Sequence, residues 1–230
     1  MTRQEFARLV DATLLRPEAT RADIVALCRE AREFGFAAVC VNPCYVRLVR
    51  RELEGSPVKV CTVIGFPLGA TTTGVKVLEA REAALDGIDE MDVVPNIGAL
   101  KEGDTKFLMN ELDKVIEAAR DVRREITVKV ILETGLLTNA EKLLGCWVAT
   151  GAGADFVKTS TGYGPSGATV EDVLFLRNAV GPRFGVKAAG GIRDLRFARA
   201  LLAAGANRLG TSAAGQLMRQ WQNQEEGAVE

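Results

Sequence analysis

Apolar positions along this chain recur with two periods that keep replacing one another. Residues 127–133 alternate, with Val128, Val130 and Leu132 on one face of an extended segment and Lys129, Ile131 and Glu133 on the other. Just upstream, Phe107, Leu108, Leu112, Val115, Ile116 and Ala119 recur at helical spacing and predict a long amphipathic helix. The same exchange runs through the rest of the chain. A short helix over 4–9 leads to a strand over 10–14 that places Asp11 and Thr13 on one face. Thr20, with Asp23 three residues on, forms a capping box that opens a helix through about Phe34, and Gly35 ends it. Strands follow over 37–42 and 58–65, around a helix that Pro43 starts. After a loop over 66–73 comes a helix ending near Gly87, then a strand over 90–95 that points Met91 and Val93 one way and Asp92 and Val94 the other.

Residues 96–103 read as a loop before the long helix. Beyond 133 the expected order is a helix over 139–150, a strand over 155–160, a helix from about Thr169 and a strand around Lys187. A helix over 194–204, a strand over 207–212 and a terminal helix complete it. About eight strands alternating with helices in a chain of this length predict a parallel (β/α)8 barrel in preference to a doubly wound sheet. The charged face of 127–133 agrees, because a small closed barrel holds such side chains inside while its aliphatic face packs on helices. Gly151-Ala152-Gly153-Ala154 precedes a strand and lacks a third glycine, so it reads as a helix end and turn, not a dinucleotide loop. The expected organisation is a single barrel domain over 1–219 with a polar, frayed tail over 220–230.

Composition narrows the function classes. With 47% hydrophobic and 26% charged residues among 230, the chain can bury the core of one large domain. A net charge of −1 with both signs interspersed provides no basic footprint for nucleic acid and no polybasic membrane patch. The first residues are charged and no apolar run reaches the ~18 residues of a spanning helix, so a cytoplasmic protein is expected. Five cysteines without a CxxC pair read as reduced thiols, and Cys40 and Cys44 as packing residues. Histidine is absent altogether, which removes His-based triads and most zinc sites.

In a (β/α)8 barrel the chemistry lies at the C-terminal ends of the strands, where this chain offers Asp92, Glu133, Lys158 and Lys187. A core lysine is either ion-paired architecture or a tuned amine. A lysine amine of reference pKa ~10.4 is only about 0.04% neutral at pH 7. A second ammonium at roughly 6 Å and an effective dielectric of ~20 adds about 3 kcal/mol of repulsion, which favours the neutral amine about a hundredfold. Lys158 and Lys187, in consecutive strands, offer that arrangement, and repulsion alone does not say which is the nucleophile. Lys129, four residues before its strand's end, reads as a lower-layer partner of a barrel carboxylate, and Asp92 as a proton shuttle or a counter-ion. Gly190-Gly191-Ile192-Arg193, joining strand to helix, and Gly210-Thr211-Ser212 read together as a phosphate site. Asp11 and Thr13 join Gly190, Gly191, Arg193, Gly210 and Ser212 as candidate substrate-binding residues.

The stretches DATLLRPEAT, VCVNPCYV, VCTVIGFPLGATTTGVKVLEA, MDVVPNIGALK, VKVILETGLLT, GADFVKTSTGYGPSGAT, KAAGGIRD and RLGTS, in this order, make the chain similar to the deoxyribose-phosphate aldolase family. That resemblance implies a class I aldolase on a (β/α)8 barrel, working without metal or cofactor in deoxyribose phosphate catabolism. The implied reaction is cleavage of 2-deoxy-D-ribose 5-phosphate to D-glyceraldehyde 3-phosphate and acetaldehyde. It implies that Lys158 forms the Schiff base, Lys187 lowers its pKa, Asp92 relays protons, and the two glycine-rich loops hold the 5-phosphate. A homo-oligomer, dimer or tetramer, is expected as well. The chain departs from the family at Ala12, where D-H-T-L-L is usual, at KAAGG, and in a tail ending in Glu230 without the tyrosine that assists proton transfer in some members. A sugar-phosphate isomerase and a non-catalytic phosphosugar-binding barrel are the alternatives; neither needs two adjacent lysines.

Overall fold

In the computed structural model, which describes residues 1–226, the two alternating periods become eight parallel strands with helices outside them. Helix α1 (Arg3–Ala7) precedes β1 (Val10–Leu14), and α2 (Arg21–Phe34) leads to β2 (Ala38–Val41). A 3-10 turn at Pro43–Tyr45 runs into α3 (Val46–Glu52), followed by β3 (Lys59–Ile64), α4 (Thr73–Leu85) and β4 (Glu90–Val93). Helices α5 (Ile97–Glu102) and α6 (Thr105–Arg120) precede β5 (Thr127–Ile131); α7 (Asn139–Gly151) precedes β6 (Phe156–Lys158). Then come α8 (Val170–Val180), β7 (Gly185–Ala189), α9 (Leu195–Ala203), β8 (Arg208–Thr211) and α10 (Ala214–Glu226). Each strand pairs with the next and β8 returns to β1, closing the barrel that the sequence predicts.

The period of two decides what faces where. Val39, Val60, Met91, Val128, Val130, Val157, Val186 and Leu209 pack outward in one continuous core with the helices. The alternate positions turn inward, where Cys40, Cys61 and Val63 form a small apolar cluster with Leu15 and Ala38, beside buried charged residues. Helix starts follow local chemistry: the Thr20 and Asp23 side chains cap one another's backbone as expected, and Thr138 with Glu141 does the same for α7.

Three expectations need correction. Residues 97–102, expected as loop, form helix α5, capped by Asn96 Oδ1 accepting from the Ala99 N–H at 3.0 Å and closed by Gly103 at φ 74°. Six residues with one buried anchor, Leu100, show too little periodicity to be read as a helix. Strand β6 pairs only over Phe156–Lys158, so Lys158 stands at its very end. The polar tail expected from residue 220 begins inside α10, where the buried Trp221 ring lies 5.1 Å from that of Phe6; residues 227–230 lie outside the described residues.

One buried ion pair ties the outer layer together. Lys76 Nζ of α4 lies 2.9 Å from Glu111 Oε1 of α6, both side chains fully buried, and Glu111 Oε2 accepts the Asn96 N–H at 2.9 Å. Removing one partner of a buried pair strands the other charge and costs about 3–5 kcal/mol. Glu111→Leu is therefore expected to lower the urea midpoint of unfolding strongly at unchanged slope, read by circular dichroism.

Candidate active site

Strand register sets the site. Lys158 and Lys187 are direct register partners on β6 and β7, and Asp92 on β4 pairs with Lys129 on β5, so all four side chains enter the barrel at neighbouring heights. Asp92 stands at the centre: its Oδ2 accepts from Lys158 Nζ at 2.8 Å and from Lys187 Nζ at 2.7 Å, and its Oδ1 from Lys129 Nζ at 2.9 Å. The Lys158 and Lys187 amines are thus no farther apart than two hydrogen bonds meeting at one oxygen.

A second layer completes the network. Asp11 Oδ2 lies 2.5 Å from Lys187 Nζ and Asp11 Oδ1 lies 2.7 Å from Arg208 Nη1, while Glu90 Oε2 contacts Lys129 at 2.7 Å and Arg208 at 3.1 Å. Four basic side chains therefore meet three carboxylates. Burial alone would raise the Asp92 pKa, but Lys129, Lys158 and Lys187 overcome it and hold the carboxyl well below its ordinary range. Asp11 is depressed in the same way, against burial, by Lys187, Arg208 and Lys129. For Lys187 burial works downward, yet Asp11 and Asp92 raise its pKa above the usual lysine value, so it stays an ammonium at neutral pH. Lys129 is raised too, burial being outweighed chiefly by Asp92.

The three lysines differ in access. Lys129 and Lys187 are fully buried, and each touches two or more carboxylates. Lys158 touches only Asp92 and lines a cavity of about 270 Å³ at the C-terminal end of the barrel. Thr13, Gly190, Gly191, Arg193, Gly210 and Ser212 line the same cavity. Gly190 and Gly191 take φ of 93° and 76°, turning the backbone from β7 towards α9, whose N-cap Asp194 accepts from the Phe197 N–H at 2.8 Å. The Thr211 hydroxyl donates to the Ile192 carbonyl at 2.6 Å and ties the β8 loop to the β7 loop. Gly210 has a further reason to be glycine, since a Cβ there would come within 2.9 Å of Lys187 Cε.

Asp11 is the residue placed differently from expectation. It lies fully buried with both oxygens engaged by Lys187 and Arg208 and does not line the cavity; Thr13, two residues on, does. Sequence reasoning also left out Glu90 and Arg208. Glu90 carried a signal, since it shares the face of Asp92 two residues away; Arg208 did not, because only the strand register makes it the partner of Lys187.

Among the described residues, two donor sets are close enough for a cation, Cys40 with Cys61 and Asp92, and Asp11 with Cys61 and Glu90. Their carboxylate oxygens already serve Lys129, Lys158, Lys187 and Arg208, a poor setting for a metal ion. Among the other thiols, burial pushes Cys28 and Cys146 up to about 12, as suits inert packing residues.

A model of the DeoC/LacD family of aldolases matches residues 7–222. The deoxyribose-phosphate aldolase of Thermococcus kodakarensis is 55% identical over 214 residues, which span 92% of this chain and 95% of that one. The enzyme of the same name from Thermoanaerobacter sp. (strain X514) is 53% identical over 216 residues, 94% of this chain and 96% of its own. Among solved structures, the tetrameric deoxyribose phosphate aldolase of Aeropyrum pernix superposes with a TM-score of 0.90 at 36% identity, covering 97% of this chain and 93% of that one.

Proposed function

Since the chain belongs to the DeoC/LacD family of aldolases, we propose that it reversibly cleaves 2-deoxy-D-ribose 5-phosphate to D-glyceraldehyde 3-phosphate and acetaldehyde through a Schiff base on Lys158. The observation that carries this reading is the access of Lys158: of the three lysines around Asp92, it alone opens to the cavity that the two glycine-rich loops line.

The chemistry follows from the placement. The Lys158 amine adds to the C1 aldehyde of the open-chain sugar, and loss of water leaves an iminium that can accept an electron pair. Acetaldehyde carries two carbons, so the bond that breaks is C2–C3. As the C3 hydroxyl loses its proton, the C2–C3 electrons flow into the iminium and leave an enamine on Lys158. Protonation at C2 and hydrolysis release acetaldehyde. The C3 hydroxyl proton passes through water to the Asp92 carboxylate, which the Lys187 ammonium holds at 2.7 Å, and returns to C2 of the enamine. Gly190, Gly191, Arg193, Gly210 and Ser212 hold the 5-phosphate through backbone amides, the α9 N-terminus and one guanidinium.

Lys187 supplies a lasting positive charge beside the nucleophile. Replacing it by leucine removes that charge, and with it the repulsion that disfavours a second ammonium beside it. Lys187→Leu is expected to move the acidic limb of the kcat/KM profile upward by roughly one to two pH units. An unmoved limb would assign Lys187 to packing alone.

The proposal extends to a cytoplasmic homo-oligomer that binds neither membrane nor nucleic acid. Supporting it are the tetrameric Aeropyrum pernix relative, the net charge of −1, and Leu143 and Trp147, one turn apart on α7 and 53% and 57% exposed. No helix among the described residues is long and apolar enough to cross a membrane. A coupled assay for acetaldehyde release from deoxyribose 5-phosphate tests the activity. Turnover that borohydride cannot trap on the protein would count against the Schiff base.

A further inference from the structure

Glu133 stands just past β5, and among the described residues it is the sole non-glycine with a positive φ, 57°. Side chains with a Cβ rarely adopt that conformation, and glycine would relieve it. What the position gains from glutamate must therefore lie in the side chain. Glu133 is 4% exposed, and its carboxylate accepts from two donors of one residue: the Thr161 hydroxyl, and the Thr161 N–H, which reaches its two oxygens at 3.3 and 3.4 Å. The Thr161 oxygen in turn accepts the Tyr163 N–H at 3.0 Å. Gly164 completes the fit, because a Cβ there would come within 2.6 Å of the Glu133 carboxyl carbon.

This relay ends on an aromatic contact across the barrel. Tyr163, on the loop after β6, meets Phe66, on the loop after β3, edge to face with ring centroids 5.5 Å apart. Strands β4 and β5 lie between those two in the barrel. The cavity beside Lys158 is lined from the ends of β1, β6, β7 and β8 and from none of β2 to β5.

We propose that Glu133 is a positioning residue of the active site: through Thr161 it seats Tyr163 against Phe66, and the two rings roof the β4–β5 side of the barrel mouth. Substrate then enters beside β1, β7 and β8, while the Asp92 side of the site is shielded from water. The kinetic part of this inference rests on the aldolase reading; the positional part does not.

Amide hydrogen exchange over residues 161–164, read without substrate, tests the positional part. Glu133→Gly, which keeps the backbone comfortable and removes the carboxylate, is expected to accelerate exchange there about tenfold or more. Unchanged exchange overturns the proposal. A double-mutant cycle tests the kinetic part: Glu133→Gly and Tyr163→Ala each lower kcat/KM about tenfold, and the double variant loses little more than either. Additive losses, as from two unrelated structural defects, overturn it. Glu133→Gln, whose amide oxygen still accepts from Thr161, recovers most of the rate, and Thr161→Val takes the place of Glu133→Gly in the cycle if that variant fails to fold. Wild-type protein that shows no turnover defeats the aldolase reading and leaves the exchange result to decide the placement of Tyr163.

Discussion

Lys158→Ala is expected to abolish cleavage of deoxyribose 5-phosphate, with kcat falling on the order of 10⁴-fold or more, and to eliminate the two-carbon adduct that borohydride fixes on the wild-type protein. The two remaining inward lysines cannot take over. Lys187 is held between Asp11 and Asp92, Lys129 between Glu90 and Asp92, and both are fully buried beneath the cavity. The loss should not come from unfolding, because Asp92 keeps Lys129 at 2.9 Å and Lys187 at 2.7 Å once Lys158 is gone. Unfolding curves and intact-mass spectra on the same preparation separate the two effects. An adduct that persists in Lys158→Ala would move the nucleophile to another amine and overturn the assignment.

How much of this was open to reading in the sequence depended on how local the signal was. The barrel rests on repeated periodicity, and each strand carries its own copy of the alternation, so β1 was legible to the residue and the others to within a few. The pairing of Lys158 with Lys187 was legible because two consecutive strands end in the same way, and the register makes them neighbours. Helix α5 was not, since its cap and its αL terminus lie seven residues apart, with a single buried anchor between them. Nor could the depth of Asp11 be read: alternation says which face a residue takes, while the tilt and stagger of a closed barrel decide its height. For the same reason the position of Arg208 over Asp11 and Glu90, residues 197 and 118 places away in the chain, required the closed ring. From the sequence, two ammoniums roughly 6 Å apart were expected, with Asp92 as a shuttle or counter-ion near them. The structure sharpens this to one shared carboxylate oxygen between the two amines, which makes Asp92 as decisive for the nucleophile as Lys187 is.

That sharing predicts a large effect of Asp92→Asn on both stability and rate. The substitution keeps the shape of the side chain and removes the charge facing Lys129, Lys158 and Lys187, leaving Asp11 and Glu90 to balance four basic groups in the barrel interior. Breaking a buried ion network in this way costs about 3–5 kcal/mol. For a chain of this size, that lowers Tm by roughly 10 °C. The pH dependence has a definite sign. Asp92 has its folded-state pKa depressed, so its stabilisation is complete above the ordinary carboxylate value near ~4 and fades as pH falls towards the folded value. The gap between wild type and Asp92→Asn should therefore be widest near neutral pH and narrow in acid, with Asp11, which is still depressed, keeping some acid sensitivity in the variant. Cleavage should fall by about 10²–10⁴-fold, the range for loss of a proton-transfer group. Borohydride trapping with acetaldehyde should survive in part, because the Lys158 amine remains. A variant with full stability at pH 7 and near wild-type turnover would reduce Asp92 to a spectator, and the shared-oxygen account of the site would fall with it.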